Sequence, residues 1–592
     1  MSTWDVPAKP TLRGHYGMVA STHWLATASA QSVLERGGNA FDAAVAGAFV
    51  LHVAEPHLNG PGGDLVALIS LDGGDGPVVV GGQGPAPAGA TVAHMRAEGL
   101  DSVPGSGALA AALPGSVVAL FGLLRDHGTW ELPDVLQYAI DYAVAGVPAA
   151  PSLCSVLETV TELFTRSWPT SRAMWLPSGR PPAPGDRIVN PVYARTLERL
   201  ARVGSAGSSR EERITCAIEE WQSGFVARAI DEFVKTPHEH SDGADHAGVI
   251  RESDLRAVQP SYEDAVDLRF RDVTVHKAGI WSSGPVLLQT LAILDHFPDD
   301  DLDPSTARGI HTITEAMKLA FADREAYYGW RDSVPIERLL DPDYIASRAR
   351  MIGPEASMRW RPGVPDGGEP FVPPLRTDVD LRAVGVGEPT VRASGETRGD
   401  TCHLAVVDRH GNFVSATPSG GWLQSSPTIP ELGFCLGTRL QMMWLDPAAP
   451  SALQPGERPR TTLSPTLISR DGITIEAVGT PGGDQQDQWQ LPYLLRRYIQ
   501  GSAMQDAIDA PTFHTTHLPS SFWPRQWTPG GLVLEDRLPP EVVSDLRDRG
   551  HHVTLSGAWS LGRLSAVARD PATSELFGAA NPRGRQGYAV GR

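Results

Sequence analysis

The sequence predicts one large mixed α+β globule, on three observations. Of 592 residues, 41% are apolar and 20% charged, which supplies a sizeable core and excludes a disordered or fibrous chain. Helix-period segments end at glycines, as at Gly37-Gly38 and Gly329. Between them lie paired apolar runs joined by turn residues, the signature of antiparallel hairpins.

In chain order, residues 24–36 read as a helix, and Ala40–Ala54 as a second, apolar one. Residues 65–71 and the run PVVVGG form a hairpin across DGGDG, with a Gly/Pro-rich loop at 55–65 before it. Two helical patterns fill 108–147. FRDVTVHKAG (270–279) is strand-like. Ile310–Tyr328 predicts an amphipathic helix, with Ile310, Ile313, Met317, Phe321 and Tyr328 along one face. Residues 352–400 are rich in Pro, Gly and charge without apolar period, so a long exposed loop or linker is expected. CHLAVVD and FVSATPS then read as strand and strand around RHGN. With Arg409–Asn412 as the turn, paired positions sum to about 821, and Thr401 falls beside Ser419–Gly420. Two further strands lie within 461–480, followed by TPGGDQQ and a helix from Asp487.

Net charge is 50 − 69 = −19, so a phosphate backbone is an unfavourable partner. Cys154, Cys216, Cys402 and Cys435 are isolated, which argues against a disulfide framework and for a reducing compartment. The N-terminus has no apolar signal segment, and no run of about 18 apolar residues occurs, so a cytoplasmic protein without a membrane span is expected. Phosphate-loop, zincin, GxSxG and EF-hand motifs are absent, and no cofactor or metal is expected. His238, His240, Asp242 and His246 could ligate a metal, but a solvated polar loop is the preferred reading. The acidic stretch 295–303 lacks the spacing of a calcium loop and reads as surface.

The chemistry concentrates at Gly399-Asp400-Thr401, where the flexible segment meets an apolar strand. A threonine hydroxyl needs a base beside it, and its own α-amine serves if the Asp400–Thr401 bond is cut. Alone, such a threonine is ordinarily structural. The segments around it resemble those of the γ-glutamyltransferase (glutathione hydrolase) family of N-terminal-nucleophile hydrolases. Eight segments occur in family order: residues 17–57, LAAALPGSVVALFGLLRDHGTW, SSGPVLLQTLAIL, EAMKLAFADREAYYG, DTCHLAVVDRHGNFVSAT, GERPRTTLSPTLI, GTPGGD and DAPTFH.

The resemblance implies a four-layer αββα sandwich. It implies self-cleavage between Asp400 and Thr401 into a large subunit (1–400) and a small one (401–592) that stay associated as a heterodimer; a higher oligomer is compatible with it. Thr401 would be the nucleophile, Ser419 the hydroxyl that orients it, and Gly482 and Gly483 the oxyanion donors. Without the resemblance, Pro-Gly-Gly-Asp is a plain turn before a helix. Two departures bear on the substrate. Gln83 stands in GGQGPAP where family members carry an arginine for a substrate α-carboxylate. Met442 stands where they carry an aspartate for the α-amine, and no carboxylate lies between Glu431 and Asp446. Thr461-Thr462 replace paired serines, and Gly421 replaces an asparagine. Arg439 is a new charge in the pocket segment, a ligand for a carboxylate or else a surface arginine. Gln485, Gln486 and Asp487 line the pocket or simply begin a helix. An amide hydrolase or acyltransferase with altered acyl recognition, acting on a small-molecule substrate, is therefore expected. Hydrolytic C–C cleavage or oxalyl/oxamate-type hydrolysis is the alternative, and a non-catalytic scaffold the third.

Overall fold

The computed structural model describes residues 9–205, 207–330, 334–378 and 401–592. Two seven-stranded sheets stack face to face. The first runs in the order Tyr588–Gly591, Gly17–Ser21, Leu404–Asp408, Phe413–Ser419, Asp64–Ser70, Val78–Gly81 and Ser261–Asp264. The second runs Leu12–Gly14, Leu576–Ala580, Ser565–Arg569, Ile473–Gly479, Thr466–Arg470, Val273–Lys277 and Val266–Phe270. Neighbours within both are antiparallel.

Period-two alternation explains the layering. Val19, Ala67 and Val406 face the helices 24–35, 40–54, 116–127 and 132–145. Their neighbours Met18, Ala20, Leu68, Ala405 and Val407 face the opposite sheet, where they meet Leu467, Ala477 and Val567. On the far side, Val275, Ile468, Val478 and Ala566 pack against the helices 284–294, 307–327 and 486–498. The result is the expected αββα stack. The strand Leu404–Asp408 lies between Gly17–Ser21 and Phe413–Ser419, so segments from both ends of the chain share one ladder. Among the described residues, no helix is long and apolar enough to cross a membrane.

Four expectations are corrected. The helix Ala307–Tyr327 is not amphipathic: nearly every residue on it is buried, including Lys318, Asp323, Arg324 and Glu325. Its polar face is buried because it turns to other charges rather than to water, Arg324 pairing with Asp484 and Asp323 with Arg348. The segment 352–378 is irregular but pinned: Asp323 accepts from Gly363 N at 2.6 Å, and Arg361 pairs with Glu315 at 2.8 Å. The remainder of that expected linker, with Asp400, lies outside the described residues. The hairpin register sums to 820 rather than 821, Val407 pairing with Phe413 and Leu404 with Ala416. Asp408 closes a three-residue loop instead, its Oδ1 accepting from the N–H groups of His410, Gly411 and Asn412. Gly411 takes the left-handed conformation such loops require (φ 99°).

The fourth correction concerns the histidines. His238, His240 and His246 are buried, not solvated. His238 Nε2 accepts from Ala108 N at 3.1 Å and His240 Nε2 from Leu109 N at 3.0 Å, so two imidazoles cap the short helical turn 108–110. Burial lowers their pKa values to about 4 and about 2, which keeps both rings neutral acceptors. His246 is held between Glu98 (2.7 Å) and Asp242 (2.9 Å). All three rings are thus committed to the fold.

Candidate active site

Thr401 and Ser419 face each other at the open end of the central hairpin. They form an isolated antiparallel bridge three register positions beyond the last ladder pair, Leu404–Ala416, and their hydroxyl oxygens lie 3.1 Å apart. Both residues are about 1% exposed. The neighbouring Cys402 is no rival nucleophile. Burial, and then the charge of Glu55 at 3.1 Å, push its thiol pKa well up, so it stays protonated. His403 is likewise fixed as a neutral ring, burial lowering it to about 3 with help from the Lys277 charge.

The strand Ile473–Gly479 delivers the Gly482-Gly483 turn to this region. Gly479 passes so close over His403 that a Cβ there would sit 2.9 Å from Nε2. Gly482 and Gly483 both have positive φ (130° and 54°), and the helix Gln486–Tyr498 follows directly. Asp484 pins the turn. It accepts from Arg324 Nη1 at 2.5 Å, and from Ser521 N and Oγ, each at 2.7 Å. Burial would raise this carboxyl, but Arg324 and Ser521 outweigh it and hold the pKa down. Arg324 also pairs with Glu325, which pairs with Arg460, and all three are fully buried. Such packed charge fixes a backbone turn in place. Asp487 and Gln486 turn inward to the fold rather than to the pocket: Gln486 Oε1 accepts from Ser464 N, and Asp487 pairs with Lys277 at 3.2 Å.

A narrow pocket opens beside the hairpin end, lined by Gly63, Asp64, Gln83, Gly420, Gly437 and Arg439 among others. Gln83 is buried, and its Oε1 has no hydrogen-bond partner among the described residues. Arg439 is not a surface arginine. It is 5% exposed and forms a two-pronged pair with Asp64, Nε to Oδ2 at 2.6 Å and Nη2 to Oδ1 at 2.7 Å. Its Nη1 donates to the thioether of Met442 at 3.7 Å. Met442 itself packs with Trp422 and Phe522 behind the pocket. Thr461 bridges to Ser282 on the neighbouring segment, and the buried Thr462 hydroxyl has no partner among the described residues. Gly421 (φ 64°) lies against Gly63 N, 2.8 Å from where a Cβ would stand.

Sequence reasoning overlooked Asp64 as the buried partner of Arg439. Its only signal is its position directly after Gly62-Gly63, opposite Ser419 in the strand pairing. A further group, His311, Glu315 and His551, clusters closely enough to hold a cation. Its atoms are already committed. The two imidazoles bond each other at 2.9 Å, and Glu315 takes both Lys318 (2.5 Å) and Arg361 (2.8 Å).

Residues 26–591 match the gamma-glutamyltranspeptidase family model. The chain is 29% identical to the glutathione hydrolase-like YwrD proenzyme of Bacillus subtilis, over 97% of this chain and 98% of the relative. It is also 29% identical to the oxamate amidohydrolase proenzyme of Klebsiella pneumoniae, with the same coverage. Two solved LmbA2991 structures are 50% and 48% identical, with TM-scores of 0.94 and 0.93 over 99% of this chain and 100% of theirs. Cephalosporin acylase from Bacillus halodurans superposes with a TM-score of 0.83 at 27% identity, over 100% of this chain and 98% of its own. With the fold, the buried threonine at the hairpin end and the family match in agreement, the chain belongs to the gamma-glutamyltranspeptidase family and is an N-terminal threonine hydrolase.

Proposed function

We propose that the chain cuts itself between Asp400 and Thr401 and then hydrolyses, or transfers the acyl group of, a small amide through an ester on Thr401. The observation that carries this is the buried Thr401–Ser419 hydroxyl pair, 3.1 Å apart at the end of a central strand. In the cut, a bond forms between Thr401 Oγ and the Asp400 carbonyl carbon while the carbon–nitrogen bond breaks. The hydroxyl proton passes to the released amine, and water then opens the ester to free the Asp400 carboxylate. The new amine is the base for later turnovers. Gly482 and Gly483 present backbone N–H groups to the developing oxyanion, with Asp484 holding the turn. The pieces, 1–400 and 401–592, remain interleaved.

Acyl recognition departs from that of a γ-glutamyl head. Gln83 is neutral, and Asp64 neutralises Arg439. A second reading, oxalyl- or oxamate-type hydrolysis including C–C cleavage, is favoured by Arg439 Nη1, which meets a thioether where a carboxylate oxygen would bind better. The relative named oxamate amidohydrolase supports the same class. The four free thiols fit a reducing compartment such as the cytoplasm.

Intact mass of purified wild type beside Thr401→Ala tests the reading. Wild type is expected as two fragments with Thr401 at the new N-terminus, and the variant as one chain. An uncut wild type under all folding conditions would overturn it. A panel of γ-glutamyl anilide, oxamate and oxalyl-bearing substrates then separates the acyl classes.

A further inference from the structure

Asp64 and Arg439 stand 375 positions apart in the chain and meet beneath the nucleophile. The carboxylate rides on the strand Asp64–Ser70, and its residue is the ladder partner of Ser419. The guanidinium comes from the short turn Arg439–Met442, stacked 5.7 Å from the Trp422 ring centre. Two prongs on Asp64 fix the guanidinium plane, because a planar fork leaves little rotational freedom. The same Nη2 that meets Asp64 also donates to Ser419 Oγ at 3.1 Å, and Ser419 Oγ lies 3.1 Å from Thr401 Oγ1. Asp64, Arg439, Ser419 and Thr401 are each 5% exposed or less.

A hydroxyl has one proton and two acceptor sites. Arg439 occupies an acceptor site of Ser419, which leaves the Ser419 proton to acceptors, of which Thr401 Oγ is one. A cationic donor on one side of a hydroxyl also strengthens the bond it donates on the other, more so out of water. We infer that Asp64 and Arg439 are positioning residues for the nucleophile: Asp64 orients Arg439, Arg439 orients and polarises Ser419, and Ser419 holds the Thr401 hydroxyl for attack. This rests on Thr401 being the nucleophile. It also gives the buried pair a purpose that stability does not supply, since buried ion pairs are often replaceable by apolar residues at no loss.

Self-cleavage is the assay, because it needs no external substrate. The full chain is made by cell-free synthesis, and fragment appearance is timed by intact mass for wild type, Arg439→Met, Arg439→Lys, Asp64→Asn, Ser419→Ala and Arg439→Met/Ser419→Ala. Arg439→Met and Ser419→Ala are each expected to slow cutting about 10- to 100-fold, and the double variant no further than the slower single one, since both break one chain of contacts. Asp64→Asn slows it less. The rising limb of the rate against pH moves to higher pH in Arg439→Met and returns part-way in Arg439→Lys, a change that a purely structural bridge would not produce. Thermal unfolding accompanies each variant. Should Arg439→Met fail to fold, Asp64→Asn/Arg439→Met removes both buried charges together and carries the same expectation. Cutting by Arg439→Met at the wild-type rate, or a double variant slowed by the product of the singles, overturns the positioning role. A wild-type chain that never cuts sinks the reading of Thr401 itself, which is a different failure.

Discussion

Replacing Gly482 by alanine should damage the turn in a way that separates backbone strain from steric clash. At φ 130° and ψ 19°, Gly482 sits where L-residues are strained, at about 1–3 kcal/mol. A Cβ there also meets the Trp489 ring, 3.0 Å from Cε3, 3.1 Å from Cη2 and closer still to Cζ3. Trp489 is 1% exposed on the helix that follows, so the ring has no room to retreat. Overpacking of this kind costs about 1–3 kcal/mol, for a total of about 2–6 kcal/mol. Gly456 is the control: it has φ 80° but nothing within 4 Å of its Cβ, so only strain of about 1–2 kcal/mol applies. Urea midpoints of both variants, with the rate of self-cleavage, form the assay. Gly482→Ala is expected to lose markedly more stability than Gly456→Ala. It should also cut about 100-fold slower, the usual scale for a displaced oxyanion donor. Trp489→Leu in the same chain should restore part of the stability. If Gly482→Ala proves as mild as Gly456→Ala and cuts normally, the turn is neither tightly packed nor aimed at the reaction.

Two other perturbations test the surroundings. Arg324→Met leaves Asp484 and Glu325 buried without their shared cation, and should cost about 3–5 kcal/mol by urea unfolding; a loss below about 1 kcal/mol refutes the pinning of the turn. The buried His238 and His240 titrate at about 4 and about 2, below their ordinary 6.5, so the unfolded chain binds their protons first. Stability from this source is full above pH 6.5 and falls as the pH drops towards the folded values, by about 1.4 kcal/mol per pH unit for each ring. Each other ring that burial lowers in this way, His403 among them, adds its own proton to the fall of urea midpoints below pH 6.5, and His240→Asn should flatten that fall by about one proton.

The parts legible in the sequence were those set by local rules. Helix ends follow glycine stops, and hairpin arithmetic places Thr401 beside Ser419–Gly420. It erred by one because Asp408 gathers three N–H groups and lengthens the turn, a side-chain effect outside simple strand counting. The Asp64–Arg439 pair was not legible, since nothing local links residues 375 apart, and Arg439 alone looks like any surface arginine. The histidine segment misled for a related reason. Its polarity is that of a loop, and only the distant turn 108–110 shows that its rings are capping groups. Charges on the helix 307–327 read as a wet face because their partners arrive from residues 348, 361 and 484.

The central ladder, in which Leu404–Asp408 is threaded between strands from the first seventy residues and its own hairpin partner, makes folding a one-way journey. The uncut chain brings its late strands to the sheet on a tether. With the proposed cut at 400–401 made, the fragments would leave only by tearing both sheets, and, once apart, would find each other again only as a dilute bimolecular encounter. Persistence of the mature protein is then governed by how slowly it opens rather than by an equilibrium with its unfolded parts. Fragments expressed separately would start from a state the natural chain never visits.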